Sequence, residues 1–169
     1  RRTGVVAESG GVRMNKEKIH VSVVIPAHNE EKYVQRCIQS IKEAADRFKG
    51  NVEIIVVCNR CTDRTEELAK ANGAHVVNNE DKCIALVRNS GIEVAKGRVI
   101  VTIDCDNRMT PGTIREIWAR IRSGKYIGGG APIRFERYSF PLWLCEKWLG
   151  EGYSEELFAA MNKEPSVVI

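Results

Sequence analysis

Four short apolar runs, each followed by a stretch of helical periodicity, restrict what this chain can fold into more than any other feature. Val21-Ser22-Val23-Val24-Ile25-Pro26 is β-branched, almost free of polar alternation, and ended by Pro. Such a run is a strand covered on both faces, as in a parallel sheet. From Glu30 the period changes. Val34, Cys37, Ile38, Ile41, Ala45 and Phe48 recur at spacings of three and four, one face of a helix, with Glu30 and Glu31 in its first turn and Gly50 closing it. The cycle repeats. Strands are expected at Val52–Cys58, Ala74–Val77 and Val99–Ile103. Helices are expected from Asp63 (with capping-box spacing to Glu66) to Asn72-Gly73, from Lys82 to Lys96, and from a Thr110-Pro111 cap to Gly124. Ile84, Val87, Gly91, Val94 and Ala95 form the expected apolar stripe of the third helix, and Ile114, Ile117, Trp118 and Ile121 that of the fourth. Alternation of this kind specifies an α/β fold, a mostly parallel central sheet flanked by helices.

Composition narrows the class. The chain has 169 residues, 43% hydrophobic and 28% charged, enough for one domain with a real core and inconsistent with bulk disorder. Its net charge of +4 is mild and dispersed, which suits an anionic small substrate or an acidic membrane surface and argues against nucleic acid. Six cysteines without a need for staples point to reduced thiols and a cytoplasmic protein. Cys58-Asn59-Arg60-Cys61 has C-x-x-C spacing, but a zinc site would want a second pair. No secretory leader or membrane-spanning run is evident. Residues 1–18 are Gly-rich, charged and aperiodic, and read as a flexible N-terminal arm ahead of a core over 19–130.

Parallel sheets bind ligands beyond the carboxyl ends of their strands, so those loops hold the candidate chemistry. They are Pro26-Ala27-His28-Asn29-Glu30, Asn59-Arg60-Cys61-Thr62-Asp63 and Asp104-Cys105-Asp106. In extended backbone Asp104 and Asp106 would face one way, and two such carboxylates repel unless a cation lies between them. Oxygen ligands suit Mg²⁺ or Mn²⁺ bridging a diphosphate; solvated acids that only turn the chain are the bland alternative. Glu30 and Asp63 fit a helix start or contacts with a ribose or base edge. Asn59 fits a turn or an amide that pairs with a base. Arg88 borders a buried helix face and needs an acidic partner or a phosphate. His28 packs in its loop.

These residues together resemble the family 2 glycosyltransferases of GT-A, Rossmann-like fold. Val21 to Glu31 is similar to that family's opening strand and loop, with His28 where Tyr is usual. Cys61-Thr62-Asp63-Arg64-Thr65 resembles its Ser-Thr-Asp-x-Thr element, Arg88-Asn89-Ser90-Gly91-Ile92 its Arg-Asn-x-Gly-Ile helix, and Ile103-Asp104-Cys105-Asp106 its D-x-D position. The resemblance covers about residues 20–130, in matching order and spacing. It implies that Pro26, Ala27, Asn29 and Glu30 line the nucleoside pocket. Asn59 stands where an Asp often contacts the base, Asp63 supports the pocket, and Arg88 and Asp104 hold the nucleotide. Asp106, with Asp104, would ligate Mn²⁺ or Mg²⁺. The implied reaction is inverting transfer of a sugar from a nucleotide-diphospho-sugar donor to a hydroxyl on a carbohydrate, lipid-linked or small-molecule acceptor.

The second half departs from the pattern. Gly152 to Ala160 resembles the approach to an acidic pair, but Met161-Asn162 follows, so the general base is not identifiable. Residues 131–169 read as an incomplete acceptor-side region, interrupted near Gly150/Glu151 and Ala160/Met161. Tyr126 to Gly130 reads as the entry to another strand. Phe140 to Leu149 reads as a helix over the sheet, or as an apolar face resting on the inner side of a membrane. A nucleotide-sugar-binding homologue without activity is the alternative. A nucleotidyltransferase would want a Gly-rich phosphate loop after the first strand. Peripheral membrane association and a homodimer remain open expectations.

Overall fold

The computed structural model describes residues 18–130. Residues 1–17 of the expected arm, the region 131–169, the Phe140–Leu149 helix and the Met161-Asn162 break lie outside the described residues. Within them, four strands alternate with four helices. These are β1 (Ile19–Ala27), α1 (Val34–Asp46), β2 (Asn51–Asn59), α2 (Thr65–Ala71), β3 (His75–Asn79), α3 (Ile84–Val94), β4 (Val99–Thr102) and α4 (Thr113–Arg122). The strands form one parallel sheet in the order β3-β2-β1-β4.

This order creates a switch point. From β1 the chain moves outward through α1 to β2 and through α2 to β3. It then returns through α3 to β4, on the other side of β1. Right-handed crossovers in opposite directions put their helices on opposite faces. The side-chain period of two divides the core accordingly. Val21, Val23, Ile25, Ala27, Val56, Cys58, Val99 and Val101 pack with α1, α2 and α4. Val24, Ile55 and Val57 pack with Val87 of α3. Between β1 and β4, where the connections part, the strand ends leave the crevice in which such sheets hold ligands.

Close packing of α3 depends on a missing side chain. A Cβ on Gly91 would lie 2.5 Å from Val24 Cγ1 and 2.8 Å from Val57 Cγ2. At the far end of α3, Lys96 N–H donates to Glu53 Oε1 (2.6 Å), and Gly97 N–H to Ser22 Oγ (2.8 Å). Ser22 is fully buried, and this knot satisfies it while fixing the approach to β4.

Several element boundaries differ from the sequence expectations. Helix α1 begins at Val34, because residues 31–33 form a turn in which Glu30 C=O accepts from Tyr33 and Val34 N–H. Glu30 and Glu31 therefore precede the helix. Gly50 is not a left-handed cap. It is small because Phe48 folds back upon it, 2.5 Å from where a Cβ would stand. Gly73 and Gly124 do take positive φ, 74° and 71°, ending α2 and α4 as expected. The capping box at Asp63 is half made. Asp63 accepts from Thr65 N–H, but Glu66 pairs with Lys70. Pro111 lies two residues ahead of α4 rather than at its first position. Ile84 is 56% exposed, not part of the buried stripe. Residues 126–130 are irregular, and the strand they were expected to enter lies outside the described residues.

Candidate functional site at the carboxyl edge of the sheet

The loops after β1 and β2 are laced into one rim. Asn29, at φ 57°, turns its side chain so that Oδ1 accepts from Thr62 N–H (2.8 Å). Asn tolerates this left-handed backbone because its short amide bonds locally. Thr65, fully buried, accepts from Glu30 N–H (2.7 Å), while Asp63 accepts from Glu31 N–H (3.0 Å) and Thr65 N–H (3.0 Å). His28 Nδ1 lies 2.6 Å from Asn59 O, so that nitrogen carries the proton. Pro26 and Ala27, both buried, end β1 at this edge.

The electrostatics show that the acidic residues converge. Burial, then the Asp106 and Asp63 carboxylates, hold Glu30 above its ordinary value of 4.5, with His28 opposing them. Three loops therefore contribute carboxylates to one neighbourhood. Burial acts against ionisation of Asp63 too, but hydrogen bonds from Thr65 and Glu31 outweigh it and hold Asp63 below 3.8. Asp63 is thus a fixed anionic brace, whereas Glu30 is the acid under strain.

Asp104 and Asp106 reach the rim by a turn, not by strand alternation. Strand β4 ends at Thr102, and Asn107 N–H donates to Asp104 O (3.0 Å). Both carboxylates are exposed, with Cys105 buried between them. Asp104 Oδ1 accepts from Arg88 Nη2 at 2.8 Å, so Arg88 has the acidic partner its position required. Its Nε is buried and has no hydrogen-bond partner among the described residues. A buried guanidinium nitrogen left unbonded is costly, and an anionic oxygen would satisfy it.

Asn59 is spent differently from a base-reading amide. Its Nδ2 lies within 3.1 Å of Asn79 O and Asn79 Oδ1 and 2.8 Å of Asp81 O, tying the end of β2 to that of β3. Its Oδ1 accepts from Arg60 Nε (3.3 Å). Arg60 itself holds φ 49°. Cys58 and Cys61 are free cysteines, the first buried and the second half-buried. Burial, followed by Cys61, pushes the Cys58 thiol up to about 12, and the Cys61 thiol donates to Ala27 O.

Among the described residues, no group of three or more His, Cys, Asp or Glu side chains is placed to hold a metal. The donor set, Asp106 and the second oxygen of Asp104, fits a hard cation that takes its remaining ligands from water and phosphate. A depression of about 370 Å³ lined by Glu31, Lys32, Gln35, Arg36, Gln39 and Asn72 includes none of the expected donor-site residues. Sequence reasoning passed over Thr65 as a hub, although it lay inside a quoted motif. It also passed over Ser40, a polar residue hidden in the apolar stripe of α1.

A parallel sheet with acidic loops and an arginine at its switch point places these residues where α/β folds of this strand order hold their ligands. The family model for glycosyl transferase family 2 matches residues 22–167, and the chain belongs to that family. It is 32% identical over 108 residues to the glycosyltransferase GlyG of Streptococcus pneumoniae serotype 4, covering 60% of this chain and 35% of that protein. The chain thus spans about a third of that relative's length. Its fold matches the crystal structure of S. aureus TarS 1-349 in complex with UDP, at TM-score 0.59 and 21% identity over 72% of this chain and 38% of that one. It also matches glucosyl-3-phosphoglycerate synthase from Mycobacterium tuberculosis in complex with Mn²⁺, UDP-glucose and phosphoglyceric acid. There the TM-score is 0.50 and the identity 31%, over 63% of this chain and 41% of that one. No helix among the described residues is long and apolar enough to cross a membrane.

Proposed function

We propose that this chain carries the donor-binding part of a glycosyltransferase that moves a sugar from a nucleotide-diphospho-sugar to an acceptor hydroxyl, with inversion. The carrying observation is the meeting of Glu30, Asp63 and Asp106 from three loops, with Glu30 held above its ordinary value by burial and then by the other two carboxylates. Such a cluster is relieved by a divalent cation, and a cation there neutralises charge on a diphosphate leaving group. The mycobacterial relative's complex with Mn²⁺ and UDP-glucose supports the same reading.

In this reading Pro26, Ala27, Asn29 and Glu30 form the nucleoside side of the crevice. Arg88 turns its unbonded Nε to a donor oxygen while Asp104 holds the guanidinium in place. Asp63 stays ionised and fixes the Glu30–Glu31 backbone through Glu31 N–H. Asp106 and Asp104 would hold Mn²⁺ or Mg²⁺, which would supply Lewis-acid stabilisation of the departing nucleoside diphosphate. Asn59 holds the pocket's edge through β3 rather than reading the base directly. The acceptor is a carbohydrate, a lipid-linked carrier or a small molecule; docking at an inner membrane face and homodimer formation belong to the same proposal.

Calorimetry with UDP and with GDP, with and without Mn²⁺, tests the pocket, and release of nucleoside diphosphate from the donor tests turnover. Asp106→Ala is expected to abolish the Mn²⁺-dependent part of binding. Binding that needs no metal and survives Asp106→Ala would refute the metal role. No binding of either nucleotide would refute the donor site.

A further inference from the structure

The loop that carries Asp104 and Asp106 is mounted on α1 by buried polar contacts at both of its ends. Cys105, between the two aspartates, is 3% exposed and belongs to the same buried core cluster as Cys37 of α1, which is fully buried. The Cys37 thiol also lies 4.0 Å from Asp104 O. One helical turn further on, Ser40 Oγ accepts from Met109 N–H (3.0 Å) and donates to Cys37 O (2.7 Å). Ser40 and Met109 are both buried, 4% and 8% exposed. A hydroxyl can accept and donate at once, and no apolar residue of similar size can do so.

These contacts separate two jobs within Asp104-Cys105-Asp106. The outer residues face solvent, whereas the middle one is an anchor. We propose that Cys37, Ser40 and Cys105 are positioning residues. They set the distance and direction of the Asp104 and Asp106 carboxylates by fixing the loop backbone from residue 104 to 109 against α1. The inference rests on the donor-site reading above and adds to it the part of the chain that determines cation affinity without touching the cation. Rigid support matters there because two carboxylates supply only part of a coordination sphere. An error in their separation is not corrected by other protein ligands.

Ser40→Ala removes the acceptor for Met109 N–H, and Ser40→Thr retains it. Two readouts separate this inference from the functional reading. The first is hydrogen exchange of the Met109 amide, which needs no ligand. It is expected to quicken at least about tenfold in Ser40→Ala and to stay slow in Ser40→Thr. The second is Mn²⁺ titration in the presence of UDP. The apparent Mn²⁺ dissociation constant is expected to rise roughly tenfold in Ser40→Ala, the lower end of the effect of outer support on a metal ligand, and to recover in Ser40→Thr. Ile55→Val, in the core on the opposite face, controls for general loss of stability and is expected to change neither.

If Ser40→Ala does not fold, Cys105→Ala carries the titration by removing the buried anchor of the loop. Unchanged Met109 exchange in Ser40→Ala would overturn the anchor. Released Met109 exchange with unchanged Mn²⁺ affinity, or equal weakening in Ile55→Val, would overturn the positioning role. Absence of any Mn²⁺-dependent UDP binding in the unaltered protein would overturn the donor-site reading and this inference with it.

Discussion

Gly91→Ala tests whether the packing of α3 on the sheet sets the position of Arg88. The new Cβ would stand 2.5 Å from Val24 Cγ1 and 2.8 Å from Val57 Cγ2. Ordinary carbon contacts begin near 3.5 Å, so α3 or the strands must give by about 1 Å. Val24 and Val57 are β-branched and fully buried, with little rotamer freedom to yield. Overpacking of this kind costs about 1–3 kcal/mol. Ala is a better helix former than Gly by about 1 kcal/mol, which offsets part of it. The net is a loss of about 0–2 kcal/mol.

The effect on the site is larger. Arg88 precedes Gly91 by three residues on the same face of the helix, so a lift of α3 moves its guanidinium too. The 2.8 Å bond to Asp104, stretched by about 1 Å, is no longer a hydrogen bond. In the proposed function Arg88 also bonds a donor oxygen; the same displacement would break that charge-assisted bond, which contributes about 1.5–3 kcal/mol, so nucleotide affinity should fall at least about tenfold. Urea denaturation and UDP calorimetry read the two effects separately. A variant more stable by about 1 kcal/mol, with unchanged affinity, would show that helix propensity alone governs the position and would refute the coupling.

Two further substitutions probe the rim. For Glu30, the folded value lies above 4.5. The native state therefore binds the proton more tightly than the unfolded chain, and stability falls as pH rises from about 4.5 through the folded value. Glu30→Gln should melt above the unaltered protein at pH 7 without metal, with the gap closing as pH falls toward 4.5; a gap independent of pH would contradict the electrostatic account. Asn59→Asp replaces the donors aimed at Asn79 O and Asp81 O with acceptors, and should destabilise by about 1–3 kcal/mol in urea titration. A neutral outcome would mean that Asn59 does not brace β2 to β3.

The strands and helices were legible because each carries its own periodicity: unbroken β-branched runs for a sheet covered on both sides, spacings of three and four for the helices over it. The candidate residues were legible for a related reason. Polar groups directly after buried strands stand at the one edge where a parallel sheet is open. The boundaries were less legible, since a turn over residues 31–33 and the fold-back of Phe48 onto Gly50 depend on what packs there, not on local propensity.

By itself, then, the sequence determined the class of fold, the order of its elements and which side chains are available for chemistry. It could not determine how those side chains are divided among tasks. That Asn59 braces β3, that Arg88 meets Asp104, that Thr65 joins two loops and that Cys105 anchors while its neighbours face outward were decided in three dimensions. Partners 16 to 69 positions apart in the chain meet there. Contacts across such separations leave no periodic trace in a single sequence. They exist only once the strand order β3-β2-β1-β4 has placed their loops side by side.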